Sequence, residues 1–193
     1  MAQRPTRMGT AGGQDRERRM KRIRSLSRFM AAGCLIVSAL LTAAMAFYWA
    51  TTPTPVLFNH AGIANSPATE IDIPVRMLAF VISIIPLGAL AYGLLQARRC
   101  FNAFAVGEIF SREPTRHLRA FAVAVAVSAV LKPFAGATLS VLLSASNSTG
   151  AKTLALNIGS DTLIALIFAG TVAIIAWVMI EAGDVSDENK QFV

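Results

Sequence analysis

The sequence predicts an all-α, polytopic membrane bundle of four transmembrane helices with both termini in the cytoplasm. Three observations predict it. First, four apolar segments, at about 29–50, 77–95, 120–145 and 162–180, stand out in a chain of 193 residues that is 54% apolar. A helix rises about 1.5 Å per residue and a hydrocarbon core is about 30 Å thick, so about 20 apolar residues make a crossing. Second, the loops alternate in charge. Nine of the 18 basic residues precede the first segment, and Arg98, Arg99, Arg112, Arg116 and Arg119 separate the second from the third. The 51–75 loop has none and the 146–161 loop has only Lys152. Positive loops stay inside, which puts 51–75 and 146–161 outside. Third, the segments are too long and too evenly apolar for the ten-residue alternating strands of a barrel. The run from Ala120 to Val127 alternates, but both of its faces are apolar.

The net charge of +7 would suggest nucleic acid in a soluble protein. Here it is spent on topology, and no direct nucleic-acid binding is expected. The partner the whole chain requires is the lipid bilayer.

Residues 1–28 are dense in arginine and poor in apolar side chains. Such a stretch buries too little surface to offset its ordering entropy, so a disordered basic cytoplasmic tail is expected ahead of one membrane domain, 29–193. The first segment contains a small-residue triplet, Ala44-Met45-Ala46, resembling a cleavage site. It continues through Phe47-Tyr48-Trp49, an aromatic trio suited to a membrane–water interface, so it reads as a retained span. Cys34 and Cys100 form no metal or redox spacing and read as packing residues. In the outer loop, four prolines argue against a helix, and His60 stands without a second outer histidine.

The third segment is 26 residues long and is the only one interrupted, by Lys132-Pro133. Proline removes one helical hydrogen bond, which predicts a kink near 128–132. At i, i+4 spacing Ser128, Lys132, Gly136, Ser140 and Ser144 form a drifting row. Lys132 lies about 20 Å from the cytoplasmic end by helical rise. It reads either as a charge on a polar path paired with Asp161, or as a lysine whose stem reaches the outer interface. The second is favoured, because no span contains an acidic residue. The fourth segment opens with Gly159-Ser160-Asp161, a helix start whose carboxylate suits the positive helix N-terminus. It closes near Trp177, an interface anchor, and runs into an acidic tail that is expected to dock on the basic 97–119 loop.

Two cytoplasmic stretches carry a resemblance. Phe101-Asn102-Ala103-Phe104 followed by Gly107-Glu108-Ile109-Phe110-Ser111, and Met179-Ile180-Glu181-Ala182 followed by Asp187-Glu188-Asn189, resemble the signatures of the DUF2975 family. These are bacterial four-span membrane proteins with no assigned activity. The resemblance covers about 29–193 and departs from the usual pattern at Pro114. It implies the same four-span fold. Family members are often encoded beside small helix-turn-helix regulators, which implies a regulatory partnership. The loop also makes sense on its own: Gly107 permits a positive φ where the second span ends, and Ser111 suits a helix N-cap.

Three functions are compatible with such a chain. An accessory or regulatory protein would bind a cytoplasmic or membrane protein partner through Phe101, Phe104, Gly107, Glu108, Ile109, Phe110, Ser111, Glu181, Glu188 and Asn189. A small transporter or channel subunit would use a polar site of Lys132, Ser128, Ser140 and Asp161, with a homo-oligomer supplying a shared path. Transporters usually carry two broken helices in corresponding halves, and only the third span reads as broken. An enzyme would need paired acids, a nucleophile with a base, or metal-ligand spacing, and the spans offer none. The expectation is therefore a binding protein with no catalytic residues, metal or cofactor.

Overall fold

A computed structural model describes the backbone at residues 11–53, 56, 72–107, 112–145 and 159–191, with side chains at all of these except 11–17, 19 and 183–191. The described residues form four helices: α1 Ala11–Thr51, α2 Ile73–Val106, α3 Arg112–Ala145 and α4 Ser160–Gln191. Each contains a stretch long and apolar enough to cross a membrane, at Met20–Thr51, Ile73–Val106, Arg112–Ala145 and Ser160–Ala182.

Every helix is longer than its apolar segment, mainly at the arginine-rich end. Helix α1 spans Ala11–Thr51 and takes in the described part of the basic 1–28 stretch; residues 1–10 lie outside the described residues. A basic stretch attached to a preformed span needs no nucleation, and arginine, lysine and glutamine propagate a helix well. Hydroxyl groups within the spans turn back onto their own helices. Thr42 donates to the carbonyl of Ser38, Ser83 to Ala79, Thr138 to Phe134 and Thr171 to Ile167, each at 2.9 Å. In hydrocarbon no water can take that role.

Prolines do not end the helices. Pro114 is buried in the first turn of α3, where its missing N–H would have had no helical partner. Helix α3 is assigned continuously through Pro133, and α2 through Pro86. Two adjacent spans therefore carry an internal proline, not the third alone.

The helices pack in chain order: α1 on α2, α2 on α3 and α3 on α4. No packing of comparable extent joins α4 to α1 or α2 among the described residues, so α4 stands at the edge of the array. The seams are lined by small side chains: Ala79, Gly93, Ala97 and Cys100 on α2, Ala122, Ala124, Ala129 and Ala137 on α3, and Ala169 and Ala176 on α4 are all buried. Small residues let membrane helices approach closely, the source of packing energy where lipid tails are as apolar as leucine. A close approach occurs at Gly93, where a Cβ would stand 3.0 Å from the Ala124 Cβ and 3.5 Å from the Phe121 carbonyl oxygen. Gly136, by contrast, has open space around it. Both cysteines are free, with Cys100 buried and Cys34 half-buried.

At the other end of the bundle Trp49 is buried against Ala79, with Leu139 and Leu142 of α3 closing over it. The aromatic trio thus divides: Phe47 faces outward at 69% exposure, while Trp49 is core. Arg76 completes this corner. Its Nε donates to the Trp49 carbonyl at 2.7 Å and its Nη2 to the Thr52 carbonyl at 2.5 Å. A cation on the last carbonyls of α1 satisfies orphan acceptors and opposes the negative helix end.

Candidate functional site

Lys132 and Asp161 form an ion pair across the α3–α4 seam. Helix α4 begins at Ser160, with Asp161 in its first turn and Thr162 N–H donating to the Gly159 carbonyl at 3.1 Å. The Asp161 carboxylate folds back over Gly159, where any Cβ would collide with it. Of the two readings of Lys132, the pairing with Asp161 is the one present in the fold: the first turn of α4 brings a carboxylate to it. The signal was present in the Gly159-Ser160-Asp161 start; the register of α4 on α3 was not.

That register sets the depth of the pair. Ser128 Oγ donates to the Pro86 carbonyl at 2.7 Å and His117 meets Gln96 at 2.8 Å, which level α2 with α3. Two levels then serve as references: Arg28, Arg98 and Arg119 at one end, and Trp49 and Arg76 at the other. The 77–97 stretch of α2 between them is about 30 Å long. Lys132 is thirteen positions beyond Arg119, about 20 Å of helix, so the pair lies about 10 Å short of the level of Trp49 and Arg76. Both side chains are exposed there, at 62% and 58%. Helix α4 is correspondingly offset toward the arginine-rich end, and a T-shaped contact of Phe121 with Phe168, centroids 6.4 Å apart, fits the same register.

The proposed serine row does not stay together. Four residues advance a helix by about 400°, so each step of four drifts by about 40°. Ser128 meets α2, Lys132 meets α4, and Ser140 is buried with its hydroxyl donating to the Ala137 carbonyl at 2.8 Å. Ser144 donates to the Val141 carbonyl at 3.0 Å. Each of these hydroxyls holds a backbone carbonyl.

At the arginine-rich end, Gly107 closes α2 as expected. Its φ is +104°, and its N–H donates to the carbonyls of Ala103 and Phe104 at 3.2 and 3.1 Å. Phe101 and Phe104 are half-buried and meet edge to face, centroids 6.5 Å apart. Glu108, Ile109, Phe110 and Ser111 lie outside the described residues. Glu181 is exposed. The backbone of Glu188 and Asn189 belongs to α4, and their side chains, with the expected docking of the tail, lie outside the described ones.

One cluster was not anticipated. Gln96, buried, accepts from His117 Nδ1 through Oε1 and donates through Nε2 to the Tyr92 hydroxyl at 2.6 Å. Because Oε1 can only accept, Nδ1 carries the hydrogen. The residues are separated by 21 positions between Gln96 and His117, and only helix packing joins them. No group of three histidine, cysteine or acidic side chains able to hold a metal occurs among the described residues.

A four-span array with a Gly107-capped second helix is the architecture that the loop motif implied, and a family model decides the matter. The model described as "Protein of unknown function (DUF2975)" matches residues 57–193. The chain belongs to the DUF2975 family. The match takes in α2, α3 and α4 with both motif stretches, and α1 precedes it. The DUF2975 part therefore contains the Lys132–Asp161 pair, the Gln96 cluster and the close approach at Gly93. No curated protein and no solved structure matches the chain.

Proposed function

We propose that this DUF2975 protein is a non-catalytic accessory or regulatory protein of a bacterial cell membrane. Both termini lie in the cytoplasm, and it acts by binding a protein partner at its arginine-rich end. The observation that supports this reading is the overrun of the helices. Beyond the Arg28–Arg98–Arg119 boundary α1 continues back to Ala11, α2 on to Val106, and α4 on to Gln191. The α1 and α4 extensions are each about 25 Å long by helical rise, and Arg24 of the α1 extension approaches the Gly107 turn. A platform of helices held on the membrane is a surface for association, and the family motifs fall on it. The test is photo-crosslinking in native membranes from Phe110 and Val185. A discrete protein captured at both positions supports the reading; self-crosslinks alone, or none, reject it.

A second reading, a small transporter or channel subunit, is favoured by the ion pair alone. An ionisable pair at hydrocarbon depth marks a functional site by default, and two adjacent spans with internal prolines suit a helix pair that moves. The bonded hydroxyls of Ser128 and Ser140 weigh against it. Solute or ion flux in reconstituted vesicles that disappears in Lys132→Met, with folding intact, would promote this reading over the first.

A further inference from the structure

Arg119 stands between two apolar grooves. On the α2 side a groove of about 520 Å³ runs from Arg116 and Arg119 past Tyr92 and Val123 to Val127. On the α4 side a groove of about 350 Å³ lies between Arg119 and Val123 on one wall and Ile174 and Trp177 on the other. Arg119 and Val123 thus form the ridge between them. Eleven residues separate Arg116 from Val127, so the first groove extends about 16 Å along α3, from the membrane boundary toward its middle.

We propose that this ridge binds an anionic two-chain phospholipid of the leaflet at the arginine-rich end, its phosphate on Arg119 and Arg116 and its acyl chains on either side of Val123. Four observations carry it. Both arginines are exposed, and neither has an acidic partner among the described residues. Because α4 is offset toward this end, Trp177 lies beyond the level of Arg119, at 72% exposure, so the Arg119 guanidinium is flanked by apolar surface. A cation in that position needs an anion, and the membrane supplies phosphate. The Tyr92 hydroxyl provides a further donor: it accepts from Gln96, which leaves its hydrogen for an oxygen of the lipid. A polar head position opening onto apolar channels on both sides of one valine has the shape of a lipid with two tails. The site does not depend on which side of the membrane this end faces, nor on the protein partner proposed above.

The test is native mass spectrometry of the purified full chain, released from nanodiscs containing equal amounts of phosphatidylglycerol and phosphatidylcholine. The wild type is expected to retain phosphatidylglycerol selectively. Arg119→Gln should weaken retention about fivefold, the contribution of one arginine near a membrane surface. Val123→Trp, which keeps both arginines and fills the grooves, should abolish selective retention. Arg18→Gln with Lys21→Gln, basic residues away from the ridge, should leave it unchanged. Equal retention of both lipids by the wild type overturns the proposal without reference to any variant. So does a loss in the Arg18/Lys21 variant equal to that in Arg119→Gln, which would reduce the effect to general surface charge.

Discussion

At the scale of single residues, Lys132 is paired. A lysine that could have reached the interface instead meets Asp161, because the helix start at Gly159 turns the carboxylate back toward α3. Removing one partner leaves the other charge uncompensated in hydrocarbon, whereas removing both leaves none. Lys132→Met and Asp161→Asn should therefore each lower the thermal midpoint in detergent, and the double variant should lose less than the sum. A strictly additive double variant would show that the two groups do not interact. Gly107 makes a second residue-scale case. Its φ of +104° lies where a Cβ is strained, so Gly107→Val should destabilise by about 1 kcal/mol or more and Gly107→Asn by less. Denaturant unfolding of the two variants separates backbone strain from loss of a contact, because both add a side chain.

At the scale of elements, the α2–α3 seam depends on small residues in register. Gly93→Leu would force its side chain into Ala124 and the backbone of Phe121, and should separate α2 from α3, seen as loss of the folded species in detergent. Gly136→Leu, with open space around it, should be tolerated. The two glycines look equivalent in the sequence, and only their neighbours distinguish them. Arg76 acts on a different element from its own. It belongs to α2 and holds the last carbonyls of α1, so Arg76→Met should speed amide exchange at Tyr48 to Thr52 while leaving α2 protected. Equal exchange in both proteins would mean that the cap does not hold the helix end.

At the scale of the whole molecule, the four crossings place the start of α1 and the end of α4 at one end, where the helices outrun the membrane. With 14 basic residues before the first span or between the second and third, that end is proposed to be cytoplasmic. Single cysteines introduced at Asn59 and Lys152 in a Cys34→Ala/Cys100→Ala background should then react with a membrane-impermeant maleimide in intact cells, and one at Val185 should not. Labelling at Val185 would reverse the orientation. Among the described residues α4 packs mainly on α3, which leaves much of its surface open to a neighbouring membrane protein.

The sequence by itself determined the number of spans, their order and the turn at Gly107, because hydrocarbon imposes a minimum length and leaves a helix one way to satisfy its backbone. It also pointed to Lys132 and Asp161 individually. It left their pairing as one of two readings, and it did not reveal the burial of Trp49, the Gln96–His117 contact or the ridge at Arg119. Those depend on the axial register of one helix against the next. A shift of one helical turn, about 5.4 Å, would separate every one of these groups while leaving the hydropathy pattern unchanged. Register is decided where small side chains such as Gly93 and Ala124 allow closest approach, and only the tertiary structure brings those surfaces together.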